Sequence, residues 1–130
     1  LFGLLKGGEV AITGTFPAGV VGSTADNLRA AADGELYEWS SMYPDFAKIA
    51  HEEGFTAVAA IFNALVVAER NHEQRYRNLL ADVVNGHVFK KDEPVRWRCL
   101  NCGYIHEGTE APNECPACAH PQAYFEVLKD

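Results

Sequence analysis

Two groups of residues in this 130-residue chain have the types and spacing to hold a metal. Cys99, Cys102, Cys115 and Cys118 form two C-x-x-C pairs with twelve residues between Cys102 and Cys115. Two such knuckles place four thiolates tetrahedrally around one ion and so stabilise a module too small for a core of its own. All four cysteines of the chain lie in this cluster, which reads as a metal site in a reducing compartment rather than a disulfide framework. The second group is Glu35, Glu38, Glu69 and His72, which stand where apolar residues are expected.

The elements that must position this second group are two helices. Leu28, Ala31, Glu35, Glu38, Met42, Phe46 and Ile49 follow steps of three and four along one helical face. Val58, Phe62, Leu65, Glu69, His72, Tyr76, Leu79 and Val83 do the same further on. The first helix is expected from Ser23 or Thr24, either able to cap it, to about Glu53, with bends at Gly34 and Pro44 and a stop at Gly54. Asp26 favours its positive end. The second is expected from Phe55 to about Asn85, stopping at Gly86. So short a turn makes them antiparallel neighbours.

Counted from Gly54, Glu35 and Glu38 lie 19 and 16 residues back, and Glu69 and His72 lie 15 and 18 forward. At about 1.5 Å per residue these distances bring all four to one layer between the helices. A Glu-x-x-Glu or Glu-x-x-His pair by itself is usually a solvated surface feature; two coinciding with apolar stripes at a shared height point to a metal site. An isolated buried carboxylate costs several kcal/mol unless paired or bound to a cation. Of Arg29, Arg70, Arg75 and Arg77, only Arg29 lies near the stripes, and it is too far along the helix. Oxygen ligands with one imidazole suit iron or manganese. In the carboxylate four-helix bundle two helices each give a Glu and two give Glu-x-x-His. Half of that set is present here, with Glu38 as an extra ligand.

The rest of the chain frames these sites. "LFGLLKGG" reads as the last turns of a helix whose beginning is absent, and Glu9 to Ser23 as a long crossover that packs some apolar side chains. The organisation expected is a helical region over residues 1–86, a linker over 87–95 with Pro94, and the Cys-bearing module over 96–130. A formal charge of -7, from 18 acidic against 11 basic residues, argues against nucleic acid and anionic membrane as partners. Neither a membrane-spanning run nor a secretory signal is visible, so a cytoplasmic location is expected.

Gly103 and Tyr104 after the first Cys pair, Pro116 inside the second, and the aromatics Trp97, Tyr104, Tyr124 and Phe125 resemble rubredoxin, an iron centre for one-electron transfer. Zinc with a structural role shares the spacing. Glycine after a knuckle is expected to let backbone N–H groups approach sulfur. His106 and His120 are expected to be surface residues.

Together, "GELYEW", "MYPDFAKIAHEEG", "AERNHE", "RWRCLNCGYIHEG" and "CPACAHP" resemble the rubrerythrin family from "FPAG" onward. The resemblance implies a mainly α fold, half of a ferritin-like four-helix bundle with a small C-terminal rubredoxin-like domain. It also implies a di-iron peroxidase that reduces hydrogen peroxide to water with electrons relayed through the Cys-bound iron. On matching positions, Glu35 would bridge the irons or bind at the bridge, Glu38 would exchange with a histidine as the oxidation state changes, and Glu69 with His72 would complete the second half. Tyr43 matches a tyrosine that hydrogen-bonds a ligand carboxylate. Further implied partners are an electron-donor protein or reductase and a second copy in a homodimer. Family members begin with two more helices carrying a Glu and a Glu-x-x-His; the expectation is either that these remain bound as a separate N-terminal fragment or that this chain stands alone with an incomplete site. The rival readings are a ferroxidase or iron-handling protein and a non-enzymatic zinc-ribbon interaction module.

Overall fold

The computed structural model describes residues 7–9, 11, 13–15 and 19–128. The helix tail expected at Leu1 to Leu5 lies outside these residues. The chain divides into two compact units, Leu1–Leu80 and Ala81–Asp130.

The first unit is a helical hairpin. Helix α1 (Thr24–Tyr37) is capped by Ser23, whose hydroxyl accepts from the Asp26 backbone N–H, while the Asp26 carboxylate accepts from the Ser23 backbone. This capping box satisfies donors that a helix start leaves unpaired. The helix passes through Gly34 without interruption, so no break occurs there. At Pro44 the expectation of a bend becomes something more specific: Glu38–Met42 is a π-helical turn leading into α2 (Tyr43–Glu52). Proline lacks the N–H and crowds the carbonyl four residues back, here that of Ser40; widening the helix by one residue accommodates both.

Gly54, with φ of +84°, reverses the chain into α3 (Thr56–Val84). Contacts between the two arms run in opposite directions. Phe46 meets Phe62 near the turn, with ring centroids 5.5 Å apart, and Arg77 meets Asp33 at 2.9 Å far from it. The hairpin buries few large side chains. Its buried residues are Ala32, Ala47, Ala50, Ala59 and Glu69, while Phe46, Ile49, Phe55 and Leu79 stay exposed. An apolar groove of about 720 Å³ at the turn is lined by residues including Phe46, Ile49, Phe55 and Phe62. The crossover expected to pack apolar side chains does not do so at Val20 and Val21, which are 91% and 89% exposed.

The second unit is a three-stranded antiparallel sheet, in the order β2-β1-β3, formed by β1 (Lys90–Cys99), β2 (Ile105–Glu110) and β3 (Phe125–Val127). Residues 90–95, read as linker from their charges and Pro94, belong to β1. The strand tolerates this proline because its pairing with β2 is irregular between Lys90 and Val95, where no regular ladder donor is lost. The core is Trp97, Cys99, Ala111, Cys115 and Phe125, and the Trp97 indole N–H donates to the Gly108 carbonyl at 2.9 Å. Two of its five members are metal-competent cysteines, so the core and the site are one structure.

Candidate metal centres

In the helical unit, Glu35 from α1 and Glu69 and His72 from α3 each offer a ligand atom within 4.8 Å of the others. His72 Nδ1 lies 2.5 Å from Glu69 Oε2 and 3.7 Å from Glu35 Oε2. Glu69 is only 8% exposed, the only charged residue in the buried class among those described. Glu35 Oε2 is buried and makes no hydrogen bond. His72 Nδ1 is hydrogen-bonded to Glu69 and leaves the Glu35 oxygen unserved; an unpartnered buried carboxylate oxygen beside a second carboxylate and an imidazole is a ligand set that suits a cation.

The electrostatics agree with that fit. Burial, followed by the nearby charge of Glu69, raises the Glu35 carboxyl above the ordinary carboxylate range. Glu38 lies outside the compact three-residue group yet senses it: burial and then Glu69 raise its carboxyl, against an opposing effect from His72. Burial also raises the Tyr43 phenol, with Glu38, Glu69 and Glu35 adding to it, so Tyr43 keeps its proton.

The π-turn explains how Tyr43 joins this group. Its backbone N–H donates to the Glu38 carbonyl five residues earlier, the wider bonding of a π-turn, which holds more residues per turn than an α-helix. In a regular α-helix the same step would leave Tyr43 about 140° away from Glu38. Stacking on Phe62, with ring centroids 5.9 Å apart, then fixes the ring. Arg29 pairs with Asp26 at the helix start, away from the site. Arg75, with Glu35, His72, Tyr76 and Leu79, lines an adjacent cavity of about 320 Å³. Sequence periodicity gave no role to Arg75, because it stands off the apolar stripe.

In the second unit the four sulfurs form one group, with Cys99 to Cys118 and Cys102 to Cys115 both at 3.7 Å. A tetrahedron with metal–sulfur bonds of about 2.3 Å has edges of about 3.8 Å, so these separations suit a single thiolate-bound ion. The charge balance agrees. Burial opposes the Cys118 thiolate, but the His120 backbone N–H and neighbouring thiols bring it down to about 6. The Tyr104 backbone N–H favours the Cys102 thiolate, yet the other sulfurs and burial push it up to about 12. Four thiolates this close need a cation.

The two knuckles repeat one backbone pattern. Cys99 N–H donates to the Tyr104 carbonyl and Gly103 N–H to Cys99; Cys115 N–H donates to His120 and Ala119 N–H to Cys115. Gly103 and Ala119 are therefore equivalent, with φ of +80° and +55°. A Cβ on Gly103 would meet nothing within 4 Å, so the left-handed backbone, and not close approach to sulfur, is what calls for glycine there. His106 and His120 are both partly buried rather than surface residues, and the His120 ring packs edge-on to Tyr124 with centroids 4.5 Å apart.

A helical half-bundle with a Glu/His carboxylate group, followed by a small four-Cys sheet domain, defines a ferritin-like protein with a rubredoxin-like tail, and both groups fit iron. Family models agree on each part: "Rubrerythrin" matches residues 4–80 and "Rubrerythrin, rubredoxin-like domain" matches residues 97–126. The chain belongs to the rubrerythrin family. It is 55% identical over 128 residues to a rubrerythrin of Porphyromonas gingivalis, covering 98% of this chain and 64% of that protein. A rubrerythrin of Nitratidesulfovibrio vulgaris is 49% identical, with 98% and 67% covered. The chain thus spans about two thirds of the length of these curated relatives. A solved structure, "Partially Reduced State of Nigerythrin", is 34% identical with a TM-score of 0.49, covering 91% of this chain and 55% of that one. Among the described residues no helix is long and apolar enough to cross a membrane.

Proposed function

We propose that this chain works as part of a cytoplasmic di-iron peroxidase that reduces hydrogen peroxide to water, with electrons relayed through the four-Cys iron. The observation that carries this reading is the convergence of Glu35, Glu69 and His72, including an unpartnered buried Glu35 oxygen, in a chain that also bears a four-thiolate site. When bound, a pair of irons supplies two electrons to an O–O bond, and a thiolate-bound iron passes electrons singly.

The chain's own residues have distinct tasks. Glu35, Glu69 and His72 would hold iron, and Glu38, which stands apart from that group, would be an additional ligand. Tyr43 keeps its phenolic proton and can therefore donate to a ligand carboxylate. Converting peroxide to two waters consumes two protons as well as two electrons. Cys99, Cys102, Cys115 and Cys118 hold the relay iron, with zinc as a substitute. Two further helices bearing a Glu and a Glu-x-x-His complete the ligand set and cover the exposed apolar faces of the hairpin. An electron-donor protein or reductase and a second copy of the chain in a homodimer complete the partners.

Addition of peroxide to anaerobically reduced, iron-loaded protein tests the reaction. Reoxidation by one equivalent of peroxide supports the proposal. Resistance to peroxide with oxidation by dioxygen would assign an iron-handling role instead, and colourless protein holding only zinc would leave an interaction module.

A further inference from the structure

The carboxylate group depends on two helices that present their ligands at matching heights. A slip of one residue moves a side chain by about 1.5 Å along the axis and 100° around it. Metal–ligand distances tolerate only about 0.2 Å. The π-turn beginning at Glu38 already departs from regular helical geometry by one residue, so something must fix its position. The ring contacts of Tyr43 and Phe46 with Phe62 hold the arms only on the side of the site nearest the turn, and Phe46 and Leu79 are 44% and 50% exposed.

A chain of polar contacts also joins the two arms. The Trp39 indole N–H, inside the π-turn, donates to Glu73 Oε2 at 2.8 Å. Arg77 Nε donates to the other oxygen, Glu73 Oε1, at 3.2 Å, and Arg77 Nη2 donates to Asp33 Oδ1 at 2.9 Å. Arg70 stands over the Trp39 ring with its guanidinium carbon 5.5 Å from the centroid. Asp33 and Trp39 bracket Glu35 and Glu38 in sequence, and Glu73 directly follows His72. Two residues of α3 thus grip the first arm on either side of its two carboxylates. Both oxygens of Glu73 are engaged, each by a different donor, so neither hydrogen bond can shift without disturbing the other.

We propose that Trp39, Glu73, Arg77 and Asp33 form a positioning clamp that sets the register of the arm carrying Glu35 and Glu38 against the one carrying Glu69 and His72. The metal-binding consequence rests on the carboxylate site proposed above; the register consequence does not. Trp39→Phe keeps a ring beneath Arg70 and removes the indole donor, while Glu73→Leu removes both acceptors. Arg29→Leu, which breaks the separate pair with Asp26, is the control.

The full chain, with zinc in the four-Cys site, is compared in two ways at matched helix content by circular dichroism. Without metal at the carboxylates, nuclear Overhauser effects between Glu35 and His72 report the register. Cobalt(II) absorption then reports affinity at the carboxylates. The clamp predicts that those Overhauser effects disappear and that cobalt affinity falls by about 10-fold or more in both variants, but not in the control. Overhauser effects that persist in Trp39→Phe overturn the clamp, even if Glu73→Leu loses helix. Their disappearance with cobalt affinity unchanged overturns its role at the site. Their disappearance in variants of a parent chain that takes up no cobalt at the carboxylates supports the clamp and refutes the metal reading.

Discussion

The paired knuckles make a prediction whose sign alone is informative. Gly103 and Ala119 occupy the same place in two copies of one hydrogen-bonded loop, and both have left-handed backbone. An L-residue there costs about 1–2 kcal/mol, and glycine returns about 0.5–1 kcal/mol through its greater freedom in the unfolded chain. Ala119→Gly should therefore stabilise the second unit by roughly 0.5–1 kcal/mol. Gly103→Ala should destabilise it by a similar amount, since its Cβ would meet nothing and only the backbone contributes. For a small domain this corresponds to shifts of about 2–8 °C in opposite directions. Thermal loss of the iron–thiolate absorption follows this unit specifically. Loss of stability in Ala119→Gly, or no change in Gly103→Ala, would refute the equivalence of the two loops.

Further outcomes follow from the two sites. Glu69→Ala should remove carboxylate-site iron absorption and peroxide turnover while leaving the four-Cys spectrum intact; joint loss in visible spectra would show that the sites are not separable. Cys115→Ala should abolish iron at the four-Cys site and unfold the second unit, since Cys115 is both ligand and core; near-ultraviolet dichroism that survives would contradict this. The folded Glu35 and Glu38 carboxyls bind protons more tightly than unfolded ones. Their stabilising contribution is therefore complete below the ordinary glutamate range and is lost as pH rises through their folded values. Metal-free hairpin should accordingly weaken from acid toward neutral pH in urea titrations, whereas metal affinity should rise over the same range because binding requires deprotonated ligands.

Much of this molecule is legible in local spacing. The C-x-x-C pairs identified the sulfur site because four thiolates near one ion need little beyond two tight loops. The height argument about Gly54 brought together Glu35, Glu69 and His72 because a straight antiparallel hairpin converts residue count directly into distance. The π-turn escaped the same reasoning. Pro44 announces a disturbance, but local sequence does not decide whether it becomes a kink or an inserted residue, and the inserted residue brings Tyr43 within the influence of Glu38, Glu69 and Glu35. Pro94 misled in the opposite sense, since strand pairing around it is tolerated only where the ladder is already irregular.

Ligand types, their approximate height and the two-part organisation are properties of the sequence itself, because they follow from residue chemistry and the fixed rise of a helix. The orphaned Glu35 oxygen, the standing of Glu38 outside the compact group, and the hydrogen bonds of Glu73 with both Trp39 and Arg77 were decided by tertiary structure. Each depends on distances between side chains brought together by the hairpin, such as Trp39 with Glu73 and Asp33 with Arg77, 34 and 44 positions apart, which no local periodicity specifies.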